Sequence, residues 1–192
     1  MAARPDLPKY TVPSLTPEEG AKAAAILQQR LHALNDLQLT LKHIHWNVVG
    51  PHFIAVHEMI DPQVDAVRAM VDAIAERIAT LGVSPQGTPG SLVAARTWDD
   101  YSLGRDSTIA HLGALDEVYV GVITEHREAA TATEGIDDVT NDLLIGHLHE
   151  LELFHWFVRA HLESTGGALS TAGADSEKGA AAQAADGAVG EP

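Results

Sequence analysis

Apolar residues recur at helical spacing through most of the first 160 positions of the 192-residue chain. Ile26, Leu27, Leu31, Leu34, Leu37, Leu41, Ile44 and Val48 step mainly by three and four, which predicts one amphipathic helix of about thirty residues. Its start is signalled at "TPEE", where Thr16 is a natural N-cap, Pro17 suits the first helical position and Glu19 completes a capping box. "VGP" stops it, with Gly50 to end this helix and Pro51 to begin the next. So short a link predicts an antiparallel helix pair. The second helix carries Val64, Val67, Val71, Ile74, Ile78 and Leu81, a core stripe of bundle type that ends at Gly82. Pro62 conflicts with it, so the pattern predicts either a kink there or a short helix before a longer one.

Residues 82–104 form a long connection in which "SLVAAR" is a short helix candidate. A third long helix is expected from about Arg105 to Ala132, broken by "TEGID". A fourth runs from about Asp137 to Glu163 on Leu144, Leu148, Leu151, Phe154, Phe157, Val158 and Leu162. Four long helices, two short links and one long crossover containing a short helix define an all-α, ferritin-like four-helix bundle over residues 16–164. Residues 1–15, with three prolines, are expected to be an extended arm, and residues 165–192, rich in Ala, Gly and Ser, a flexible tail.

Charge changes the picture next. Lys plus Arg is 12 against 27 for Asp plus Glu, a net charge of −15 that repels phosphate backbones and attracts cations. There is no cysteine, which excludes disulfides, thiolate metal sites and cysteine nucleophiles. No apolar run reaches signal-peptide or membrane-span length, so a soluble cytoplasmic protein is expected, free or on the nucleoid, with no membrane partner.

The stretch "HIHWNVVGPHFIAVHEMID" concentrates four of the eleven histidines in residues 43–61. His57 and Asp61 are four residues apart, as are Asp72 and Glu76, and such spacing lets two side chains share one ion. All four lie about 110° round the second helix from its core stripe. The plain alternative is a solvated face, with Arg68 as a weak surface partner of Asp72. His45, across the turn, extends the His57 end. From Asp61 to Asp72 the helix rises about 16 Å, whereas metal–ligand bonds measure about 2 to 2.5 Å. One straight helix cannot bring both pairs to one ion. Either each pair finds partners on another helix of its own chain, or the pairs come from two chains. In the second case two copies of this helix cross antiparallel about a two-fold axis near Arg68 and generate two equal sites. Imidazole and carboxylate without sulfur suit iron, manganese or zinc, and carboxylates stabilise the extra charge of Fe(III).

His45-Trp46-Asn47, His57-Glu58-x-x-Asp61 and Asp72-x-x-x-Glu76-Arg77 closely resemble the signature of the Dps family, the mini-ferritins named as DNA-binding proteins from starved cells. The likeness is to actinobacterial members and continues through "GTPG", "DLL" and "FVRAHLE", covering about residues 16–164. It implies that His45, His57 and Asp61 of one subunit meet Asp72 and Glu76 of a two-fold neighbour. It further implies a hollow homo-dodecamer that oxidises Fe(II), typically with hydrogen peroxide, and stores ferric oxide, so limiting oxidative damage. Trp46 would supply electrons to an oxidising intermediate or, as plainly, pack in the core. Glu134, Asp138 and Asp142 would line a three-fold pore, although acids also favour helix N-termini for local reasons. Glu152 and His155 form a single ExxH, whereas intrachain di-iron bundles need two. His147 and His149, with Glu150, form a lesser accessory metal candidate. DNA binding is doubtful: the first fifteen residues carry only Arg4 and Lys9 as cations, and the last twenty-seven carry Lys178 against Asp175, Glu177, Asp186 and Glu191. The competing function is a nucleoid-associated, DNA-binding structural protein with incidental metal binding.

Overall fold

The computed structural model describes residues 7–189. Its elements are α1 (Pro17–Asn47), β1 (Val48–Val49), α2 (Phe53–Thr80), α3 (Pro89–Ala95), β2 (Asp106–Ser107), α4 (Thr108–Thr133), α5 (Asp138–Ala160) and α6 (Glu177–Val189). The capping box forms as the sequence requires: the Thr16 hydroxyl accepts from the Glu19 amide at 3.2 Å, and Glu19 accepts from the Thr16 amide at 2.8 Å.

Four long helices make the bundle. α1 runs antiparallel to α2 across the short link, and antiparallel to α4, as Arg30–Glu125 near one end and His43–Leu103 near the other show. α2 and α4 are therefore parallel, and α5 returns against both. One continuous core of Leu, Ile, Val and Ala fills the space between them, with Leu27, Leu34, Leu41, Ile60, Ile74, Leu115, Leu144 and Leu151 fully buried. Arg77 on α2 donates to Thr140 and to Asp137, the N-cap of α5, and so pins the two helix ends together.

Two local expectations change and a third holds. Pro62 neither divides α2 nor starts a second helix: it lies on the exposed face, where water can satisfy the carbonyl it leaves unpaired. The link after α1 is more ordered than "VGP" implied. Val48–Val49 pairs in parallel with Asp106–Ser107, Gly50 turns at φ 95°, and α2 begins only at Phe53. The short crossover helix is present, at Pro89–Ala95.

The flexible tail expected over 165–192 is a correction. Glu163 and Leu169 form an antiparallel bridge, and α6 then packs along α4. Ala180, Ala181 and Ala184 are buried. Gly113 makes this possible, because a Cβ there would fall 2.5 Å from the Ala180 carbonyl oxygen. The Thr171 hydroxyl donates to buried Asp116 at 2.7 Å, and Glu177 accepts from the Ser102 amide at 2.8 Å. Small residues that read as filler pack closely because they let two helices touch backbone to side chain. Of the expected arm at 1–15, residues 1–6 lie outside the described residues. Val12 and Leu15 pack on the core, and Gly82 turns beneath the Tyr10 carbonyl.

Candidate metal centre

His45 closes the last turn of α1, and His57 lies in the second turn of α2. The link between the helices folds them face to face, with rings stacked at 3.6 Å between centroids. Each Nδ1 reaches the other residue's backbone carbonyl at 3.0 Å. A carbonyl only accepts, so both Nδ1 atoms carry the proton and each Nε2 keeps its lone pair. This is the arrangement that orients a metal-ligating histidine. Asp61 lies one turn on, with its carboxylate 3.2 Å from His45 Nδ1.

The sequence reading missed Lys42. Its ammonium donates to Asp61 at 2.8 Å and is the main reason that the Asp61 carboxyl is held below its ordinary range. A lysine one turn before His45 on a helix was the available signal. Lys42 also stands 5.8 Å over the Trp46 ring. Trp46 itself is 71% exposed, so the core alternative is excluded.

Asp72 and Glu76 lie exposed on the outer face of α2. Because α2 is one helix through Pro62, the three turns between Asp61 and Asp72 remain, and the chain does not bring the two pairs together. Among the described residues, no three His, Asp or Glu side chains are grouped so as to hold a metal ion. His45, His57 and Asp61 therefore form an incomplete donor set, as do Asp72 and Glu76.

The other candidates separate clearly. Glu134 caps the end of α4, while Asp138 and Asp142 occupy one exposed face at the start of α5. Glu152 and His155 share no site: Glu152 pairs with Arg127, whereas His155 donates to Asp116 at 2.6 Å on the buried side. Asp116 also accepts from Arg159 at 2.8 Å and from Thr171, and these bonds outweigh burial and lower its carboxyl to about 2. The trio His147, His149 and Glu150 does not form, since His149 and Glu150 are exposed and His147 turns into the bundle. There it meets His126 on α4, which the sequence reading did not single out, with ring centroids 5.7 Å apart. Burial pushes His126 down to about 3 and His147 to about 4, so both are neutral.

A four-helix bundle whose long crossover holds a short helix is the ferritin-like architecture. The sequence profile of the ferritin-like domain matches residues 24–167. The chain is 58% identical over 175 residues to the DNA protection during starvation protein of Mycolicibacterium smegmatis, covering 91% of this chain and 96% of that one. It is 49% identical to the fine tangled pili major subunit of Haemophilus ducreyi, covering 82% and 84%. Its fold superposes on the structure of DpsA14 from Streptomyces coelicolor with a TM-score of 0.84 and 66% identity, covering 86% and 99%. The chain belongs to the Dps family of ferritin-like proteins. No described helix is long and apolar enough to cross a membrane.

Proposed function

We propose that this protein is a ferroxidase and iron store that oxidises Fe(II) with hydrogen peroxide at sites shared between two copies of the chain. The observation that carries the reading is the division of α2. One end presents two Nε2 lone pairs and a carboxylate; the other presents two exposed carboxylates on the same face, too far along to serve the same ion. A second copy of α2 crossing antiparallel supplies each half with the other. Such a set takes Fe(II) as substrate and favours Fe(III) as its charge rises. Two Fe(II) give two electrons to one peroxide, whose O–O bond breaks. With two waters the products are two FeO(OH) and four protons. The ferric product collects inside a hollow homo-dodecamer. Asp138 and Asp142, with Glu134, draw the cation through a three-fold pore, and exposed Trp46 yields electrons to stray oxidant. Removing Fe(II) and peroxide together protects DNA without touching it.

Asp72→Ala with Glu76→Ala lowers peroxide-driven Fe(II) oxidation by about 100-fold or more, while native mass still reports the assembled oligomer. Unchanged oxidation would overturn the site. Co-assembly of that variant with His57→Ala/Asp61→Ala separates one chain from two. A mixed pair carries one intact site, so random pairing restores about a quarter of wild-type activity; no recovery means that each chain builds its own site. The acidic termini predict no shift of linear duplex DNA at about 150 mM salt. A salt-resistant shift would instead favour the nucleoid-associated structural reading.

A further inference from the structure

His126 is fully buried between the helices, and neither of its ring nitrogens has a hydrogen-bond partner. His147, 8% exposed, leaves Nδ1 unpartnered as well. Buried polar nitrogens are nearly always bonded to something, so two adjacent imidazoles with three unsatisfied nitrogens call for an occupant.

The bundle's own register defines what else is near. Tyr119 on α4 donates to Gln63 on α2 at 2.6 Å, and its ring lies 5.7 Å from that of His155 on α5. Two turns further along the parallel helices α2 and α4 come Met70 and His126. Two turns back along antiparallel α5 comes His147. Met70 is buried in the core, so by this register its thioether belongs to about the same level of the bundle.

We infer that His126 and His147 form a copper(I) site inside the bundle of each chain, separate from the ferroxidase ligands. Two imidazoles on one ion, each about 2 Å from it, put their ring centroids about 5 to 6 Å apart, and the observed separation is 5.7 Å. Charge selects the ion. Glu125, next to His126 in the chain, is engaged by Arg30 at 2.6 Å, and the positive field of Arg30 reaches His126. A divalent ion would enter that field with no carboxylate to neutralise it. Fe(II) and Zn(II) also require four or more donors, usually with anionic ones among them. Cu(I) carries a single charge, accepts two or three neutral donors and tolerates apolar surroundings; imidazole and thioether both suit it. His45 and His57 are the contrast, with Nδ1 atoms already committed and a carboxylate beside them.

The metal-free oligomer, titrated with Cu(I) under nitrogen against bicinchoninate, retains one Cu(I) per chain that the chelator does not remove. His57→Ala keeps that equivalent. His126→Phe and His147→Phe each lose it, while their Fe(II) oxidation is unchanged. X-ray absorption of the copper-loaded wild type shows two imidazole ligands, a readout that stands even where a variant fails to assemble. The inference is overturned by full retention in His126→Phe, by fewer than two imidazoles at the copper, or by Zn(II) held as tightly at the same pair.

Discussion

Two histidine pairs stand in this bundle, and their surroundings differ in every respect that governs chemistry. His45 and His57 stack at the α1–α2 link, each fixed by a carbonyl, with Asp61 and Lys42 at hand. His126 and His147 lie inside the bundle, and three of their four ring nitrogens have no hydrogen-bond partner. The first pair is oriented and, in the proposed reading, is one half of a site that a second chain completes. The second is enclosed, and its donors come from one chain. What a histidine can bind depends on what already occupies its nitrogens and on the charge that stands nearby.

The largest effect that separates the pairs is on turnover. His57→Ala lowers Fe(II) oxidation by about 100-fold or more, whereas His126→Phe leaves it within about twofold. Equal losses in both variants would abolish the distinction. Acid stability separates them next. The native state keeps His126 and His147 neutral down to about 4 and about 3 in the order His147, His126, while in the unfolded chain both take up protons below their ordinary value of 6.5. The unfolded state therefore binds more protons between these limits. The stability that the buried pair maintains is complete above pH 6.5 and is lost as pH falls towards 4, by on the order of a few kcal/mol. Asp116 loses its contribution only lower, between 3.8 and about 2. Chemical denaturation of the oligomer at pH 7 and pH 4.5 measures the loss, and His126→Phe/His147→Phe should flatten it. An equally steep decline in that variant would place the acid sensitivity elsewhere. The smallest effect concerns Lys42, whose ammonium competes with a cation for Asp61. Lys42→Met raises apparent Fe(II) affinity by about two- to threefold, in line with an exposed ion pair; weaker binding would make Lys42 a support for the site.

Helix positions were legible wherever the signal was local. Thr16 with Glu19 marked the start of α1, the valine–isoleucine stripe marked the inner face of α2, and "SLVAAR" marked most of α3. The split of the α2 acids was also legible, because it needs only the rise of a helix. Three features were not. Pro62 is tolerated because it faces solvent, a matter of helix rotation. The His126–His147 pairing joins positions twenty-one residues apart on two helices, and only the α4–α5 register brings them together. The C-terminal helix depends on Gly113, some seventy residues earlier, whose missing side chain makes the groove that alanines fill. Composition reports how much apolar surface a segment could bury, and it is silent about how closely two backbones can approach.

That docking has a consequence for reach. A free segment of the composition of residues 165–192 would wander as a coil, with a root-mean-square span of about 26 to 32 Å. It could then touch neighbouring particles. Folded along its own α4, the thirteen-residue α6 extends only about 20 Å, within the outline of one subunit. Gly113 thereby shortens the arm with which one copy of the protein could tether another. A bulky residue at that single position would lengthen it again, and dispersed molecules would acquire a means of crowding together.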